Sequence, residues 1–416
     1  MRCRLGHAYI VILVLLLASC TGGQPLPPTS TILVLPSAPP TAPPSATPTT
    51  IPSSPTPTQS LPTSTPIPSE TPVDLQSLPG FGYGPDTFPA DVNPLTGLKV
   101  VDPRLLERRP LMIKITNFPR DVRPQWGLNV ADHVYEYYLE DDLTRFIGIF
   151  YGQEASRVGP VRSARPFDLE VLRMYKAIFA FGYGDDFVVD MLMESEMRSF
   201  LVVERPDNCP PLCRDVYRSD YNNLFTDTAQ LGQYITDRGI DNSRQDLSGL
   251  RFEANSLVTY GGGAVPRLFV RYSNESYHRW EYDPISQRYL RWQETVSLAS
   301  RQEDYAPLFD SLTGQQVYAD NIVIVLAPIH YLYKSKSTEI FGTDLMGTGD
   351  AYAMRQGRMF SIQWRRDAAS ALITLRFPGG APYPLKPGNT WFIVLGETSY
   401  HEIQPDGGWR FTFSMP

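Results

Sequence analysis

From about residue 79 onward, apolar positions recur with two different periods. "LMIKIT" (111–116) and "TRFIGIFY" (144–151) are apolar runs of strand length, which predicts buried strands. "DHVYEYYLE" (132–140), between them, fits a strand or a short helix. "RPFDLEVLRMYKAIFAFGYG" (165–184) spaces Leu169, Leu172, Tyr175 and Phe179 at helical intervals and stops at glycines. "DDFVVDMLMESEMRSF" (185–200) and "TDTAQLGQYITDRG" (226–239) predict two further helices. From about Leu250 the pattern changes. "PRLFVRY", "HRWEYDPISQRYLRW", "NIVIVLAP", "AYAMRQGRMFSIQW", "SALITLRF", "TWFIVL" and "WRFTFS" are short β-type runs, with Asp283-Pro284 and Gln356-Gly357 placed as hairpin connections. A chain of this length exceeds one ordinary core. The expectation is an α+β fold in two domains, an α+β one over 79–250 and a mostly β one over 251–416.

The first 78 residues have a different character. Arg2 and Arg4 precede the apolar run "AYIVILVLLLA", which reads as a secretory signal peptide over 1–19. It ends in Leu17-Ala18-Ser19-Cys20, which resembles a bacterial lipobox and implies cleavage before Cys20 and lipidation of that residue. The alternative is an uncleaved anchor helix; either way the rest of the chain is expected outside the cytoplasm. Residues 21–78 carry 16 prolines and 12 threonines with Glu70 and Asp74 as the charges. Such a segment buries too little apolar surface to offset its conformational entropy, so 20–78 is expected to be an extended disordered stalk.

The full chain carries a formal net charge of −7, an acidic balance that argues against nucleic acid as a partner. Once the signal is removed, Cys209 and Cys213 remain beside Cys20. In an oxidising compartment a C-x₃-C pair reads as a small-loop disulfide, and no histidine lies near enough in sequence to suggest a metal site. No metal and no cofactor are expected. Standard catalytic signatures such as G-x-S-x-G, H-E-x-x-H and S-x-x-K are missing.

The folded part resembles the YerB-like lipoproteins, a bacterial family without an established activity. The matching stretches are "NPLTGL" (93–98), "RPLMIKITNFPRDVRPQWGLNVADHVYE" (109–136), "LTRFIGIF" (143–150), "GPVRSAR" (159–165), "GTGDAYAMRQGRMFSIQWRR" (347–366) and "LKPGNTW" (385–391). The resemblance implies separate N- and C-terminal domains and an anchored protein. Where that family reads Glu-Gly-Gly before a Thr-Arg pair, this chain has Glu140-Asp141-Asp142. Where it often has His-Asn, this chain has Asn222-Asn223, so any role of that histidine is absent.

The candidate site is "SRVGPVRSARPFDLEV" (156–171), which sets Arg157, Arg162 and Arg165 around Ser163 just ahead of the predicted helix. Cations are the wrong sign for a helix N-terminus. Either a ligand carboxylate or phosphate sits among them, or the protein's own acids do: Glu136, Glu140, Asp141 and Asp142 are near in sequence. Ser163 is expected to cap the helix, and Arg145, in the Thr-Arg pair, joins the set. Glu136 and Glu140 share a face on a strand or a helix alike, and paired acids at a cleft hydrolyse glycosides. Trp280, Tyr282, Tyr289 and Trp292 fit either a sugar-stacking platform or a cross-strand core set. The reading is a lipid-anchored envelope protein that binds an anionic cell-wall component or envelope protein through Arg157, Arg162, Ser163, Arg165 and Arg145, with Glu136 or Glu140 orienting a guanidinium. A glycan hydrolase using the paired carboxylates, and a structural lipoprotein without a ligand site, are the alternatives.

Overall fold

The structure, a computed structural model, describes residues 82–415 apart from 219–220, 256–259, 300–301 and 336–337. The expected signal peptide, the lipidation site Cys20 and the stalk lie outside the described residues.

One large sheet organises the fold. The first half supplies β1 (Leu111–Thr116), β2 (His133–Tyr138), β3 (Thr144–Phe150), β4 (Ile178–Phe181) and β5 (Leu201–Val203). In the second half, β6 (Arg267–Arg271), β7 (Tyr277–Asp283) and β8 (Arg288–Glu294) precede β9 (Asn321–Ala327), β10 (Gly347–Arg355), β11 (Arg358–Arg366) and β12 (Thr390–Gly396), and β13 (Tyr400–Ile403) and β14 (Trp409–Thr412) close the chain. The sheet runs β11-β10-β9-β12-β2-β3-β1-β4-β5. Its seam is the parallel pair β12–β2, where Phe392 faces Tyr135 and Ile393 faces Glu136 across the ladder. The α+β class and the mostly β second half are as expected. The two halves nevertheless share one sheet, because each ends in a strand whose backbone groups need a partner.

Strands β8, β7, β6, β14 and β13 form a second sheet. It packs on one face of the first: Leu268, Val270, Trp280 and Phe411 join Val134, Phe146, Ile324 and Trp391 in one buried cluster. The opposite face, with Tyr135, Tyr137, Val323 and Phe392, is covered by Phe167, Leu172 and Tyr175 of α1 (Pro166–Tyr175) and by Val188 and Leu192 of α2 (Asp186–Glu194). Strands buried on both faces read as unbroken apolar runs, which is why "NIVIVLA" shows no alternation.

Two open alternatives are decided and one helix end is corrected. "DHVYEYYLE" is strand. The helix predicted to run past Phe179 stops at Tyr175, where Lys176 turns left-handed at φ 49°; Phe179 lies on β4, parallel to β1. Trp280 and Tyr289 are fully buried and Tyr282 packs partly buried against the same core, the core alternative for these three, whereas Trp292 is half-buried under the Arg279 guanidinium, 4.5 Å from its ring centre.

Candidate functional site

The site grows from the end of the large sheet nearest the start of α1. Register places Tyr137 and Thr116 on either side of Arg145. Because side chains alternate along a strand, Lys114 shares their face, toward α1. Residues 162–164 run alongside as extended chain: the Arg162 N–H donates to the Lys114 carbonyl (3.1 Å) and the Ala164 N–H to the Tyr183 carbonyl (3.0 Å). The helix therefore begins later than expected. Arg165, not Ser163, is the N-cap residue, and Asp168 accepts its N–H at 2.8 Å.

Asp168 is also the hub of a buried trio. Its Oδ1 accepts from Lys114 Nζ (2.7 Å) and from the Tyr137 hydroxyl (2.7 Å), and the lysine contacts that hydroxyl as well. Burial brings Lys114 down to about 8, against the upward pull of Asp168. No sequence pattern singled out this trio, although a lone lysine inside "LMIKIT" was its one visible sign.

The arginines divide into two kinds. Arg165 grips Glu140, from the β2–β3 turn, with Nε on Oε2 at 2.8 Å and Nη2 on Oε1, and gives Nη1 to the Ala164 carbonyl. Burial works to raise the Glu140 carboxyl, but Arg165 outweighs it and holds the group below the usual range. Arg157 lies apart, paired with Asp215 and stacked 3.8 Å from the Phe225 ring centre. Both of these are braces.

Arg145 and Arg162 are different. Arg145 is 7% exposed, and its side chain reaches the Thr144 carbonyl at 3.2 Å. Among the described residues it meets no carboxylate. Burial, then the charges of Arg162 and Arg165, hold its pKa well below the ordinary arginine value. Arg162 has neither a carboxylate nor any hydrogen bond from its guanidinium among the described residues, and its buried Nε lacks a partner. Its guanidinium lies 5.1 Å from the Tyr221 ring centre, and burial, with Arg165 and Arg214 adding to it, lowers its pKa.

Glu136 belongs elsewhere. It points between the two sheets, 1% exposed, where Arg291 holds both its oxygens (2.8 and 3.1 Å) and Thr144 donates to Oε1. It orients no guanidinium of the cluster, and it shares no face with Glu140. The strand's alternation ends at Tyr138, and the turn through Asp141 (φ 60°) and Asp142 (φ 61°) swings Glu140 to the helix side. The paired-carboxylate cleft is not formed.

Two openings flank Ser163. A cavity of about 470 Å³ is lined by Ser163 and Arg165 but also by Glu140, Asp141, Asp185 and Glu339, a wall too acidic to draw an anion. On the other side is a notch of about 10 Å³ bounded by Arg162, Ser163, Gly182, Tyr183, Glu204, Arg214 and Tyr221. Arg214 reaches it from a short strand (Leu212–Arg214) anchored by the Cys209–Cys213 disulfide. Nothing in the sequence pattern pointed to Arg214 or Tyr221, which are distant from Arg162 along the chain. Among the described residues no group of His, Cys, Asp and Glu is arranged to hold a metal ion.

Comparison with known proteins matches the chain to a family. The chain is 27% identical over 332 residues to "Putative lipoprotein YerB" of Bacillus subtilis (strain 168), covering 78% of this chain and 92% of that protein. The crystal structure of YerB from Bacillus subtilis superposes with a TM-score of 0.61 at 25% identity, covering 73% of this chain and 96% of that one. Residues 95–241 match the N-terminal domain, and residues 268–392 the C-terminal domain, of the family described as "Protein of unknown function (DUF3048)". With both domains present in order, and in agreement with the resemblance read from its motifs, the chain belongs to the DUF3048 family of YerB-like proteins.

Proposed function

We propose that this protein is anchored at the extracytoplasmic face of the cell membrane through lipid on Cys20, and binds an anionic ligand there through Arg162, Ser163 and Arg145. Arg157, Arg165 and Glu140 serve as the scaffold. One observation carries the binding reading: Arg162 has no hydrogen-bond partner for its guanidinium among the described residues, with its Nε buried. Arg162 is half-buried and no carboxylate balances it, and near it Arg145 gives its one hydrogen bond to the Thr144 carbonyl rather than to an acid, so the pair leaves positive charge open to an anion. The anchoring reading is supported by the lipobox-like Leu17-Ala18-Ser19-Cys20 and by the lipoprotein name of the Bacillus subtilis relative.

Phosphate titrated against the detergent-solubilised full-length protein tests the site. Arg162→Ala should remove binding and leave the melting temperature close to the parent's. Arg165→Ala should lower stability by about 1–3 kcal/mol, since it strands the half-buried Glu140. If Arg162→Ala binds phosphate as well as the parent, the site reading fails. Cys20→Ala should shift the protein out of the membrane fraction.

A further inference from the structure

We infer that the ligand of the Arg162 site is an anionic sugar, a saccharide bearing a phosphate or carboxylate group. The inference rests on the anion-binding reading and goes further, from charge to ligand class. The notch at Arg162 holds about 10 Å³, room for about one water-sized group. An anion can place an oxygen there, but the rest of any ligand must lie outside the mouth.

What waits at the mouth is aromatic. Tyr221 is 72% exposed and Tyr183 is 56% exposed, so both present ring surface to solvent beside the notch. The Tyr221 ring is flanked by two cations, with the guanidinium carbons of Arg162 and Arg214 at 5.1 and 5.5 Å from its centre. That arrangement holds the ring in place by cation–π attraction and leaves most of its surface free. Glu204 takes Arg214 with both oxygens (2.6 and 2.9 Å) and Asn223 accepts a further bond from it, so the charge of Arg214 is balanced and the unbalanced cation at the notch is Arg162.

Three cues therefore coincide. The Arg162 guanidinium, which no carboxylate balances, calls for an anion. Tyrosine rings at the mouth suit the apolar C–H face of a pyranose. The Glu204 carboxylate, with lone pairs beyond those given to Arg214, and the Ser163 hydroxyl offer acceptors to sugar hydroxyls. A bare ion uses the first cue alone. A nucleotide would also stack, and uridine monophosphate in the test below separates it from a sugar.

The test compares inorganic phosphate, glucose 1-phosphate, glucuronate, acetate and uridine monophosphate by calorimetry on the detergent-solubilised full-length protein. Glucose 1-phosphate should bind at least about tenfold more tightly than phosphate, or glucuronate at least about tenfold more tightly than acetate; whichever pair shows the gain identifies the anionic group. Tyr221→Ala should bring the favoured sugar down to the level of its bare anion measured on the same variant, and Arg162→Gln should lose both. Phosphate binding without any gain from the sugar would overturn this inference while leaving the anion site standing. Uridine monophosphate binding more tightly than either sugar would overturn it in favour of a nucleotide. No binding by any anion would remove the reading on which it rests.

Discussion

Glu136 on β2 and Arg291 on β8 form a two-pronged ion pair, at 2.8 and 3.1 Å, in the interior between the two sheets. Both are essentially inaccessible to solvent, and they come from different halves of the chain. Gln293 also binds the Arg291 guanidinium, and Thr144 caps one Glu136 oxygen. Removing one partner of such a pair leaves an uncompensated buried charge. Glu136→Ala is expected to cost about 3–5 kcal/mol of stability in a urea titration, without removing phosphate binding at Arg162. A loss below about 1 kcal/mol would mean that the pair is hydrated.

The seam between β12 and β2 predicts how the protein divides. A fragment ending at residue 250 loses β12 and exposes the backbone edge of β2 together with the apolar face that the second sheet covers. It should behave as an unfolded or aggregating species by circular dichroism and size exclusion, and the intact folded part should unfold in one transition. Two well-separated thermal transitions would contradict this.

The β2–β3 turn holds Asp141 and Asp142 at φ 60° and 61°, with the Leu143 N–H directed to the Glu140 carbonyl. Two successive left-handed residues are the hairpin geometry that glycine occupies without strain. The glycines expected at these positions from the family resemblance have a direct physical reason. Asp141→Gly should raise stability by about 1 kcal/mol; Asp141 suits the test because Asp142 also accepts from Tyr138 and Ser273. An unchanged or lower melting temperature would count against the argument.

His133 offers a pH prediction. Its ring is buried with Nε2 facing the Leu95 carbonyl (2.7 Å), so Nε2 carries the proton and Nδ1 accepts from the Tyr175 hydroxyl (2.6 Å). Burial lowers its pKa from 6.5 to about 4, while the Leu95 carbonyl works the other way. Between these values the unfolded chain holds more protons, so this group's contribution to stability is complete above pH 6.5 and lost as pH falls toward 4, a change of about 3 kcal/mol. The neighbouring Asp132 is raised from 3.8 to about 6 by burial. Its contribution runs the opposite way, falling as pH rises through that window. The two partly cancel in the parent. Stability measured against His133→Gln isolates the histidine: the parent's advantage should shrink by about 3 kcal/mol from pH 6.5 to pH 4, and a difference independent of pH would refute the assignment.

By itself the sequence determined the elements wherever one local pattern was decisive. "LMIKIT", "TRFIGIF" and "NIVIVLA" became strands because long β-branched and apolar runs need burial on both faces. The motifs from Asn93 to Trp391 were enough to place the chain in its family. Where two patterns competed locally, the fold decided. Phe179 continues a helical spacing, yet it joined β4 because β1 offered a parallel backbone partner. Glu136 and Glu140 are spaced to share a face, yet a turn of two left-handed aspartates parted them. The candidate site was half legible. Its arginines stood out as cations ahead of a helix, but which of them was braced depended on residues far away in sequence: Asp215 for Arg157, Glu140 for Arg165, and for Arg162 a tyrosine ring rather than an acid. Periodicity reports which face of an element meets the core. It carries no information about which charge on another segment will arrive within about 3 Å, and the pairing of charges, set by the tertiary structure, distinguishes a brace from a receptor.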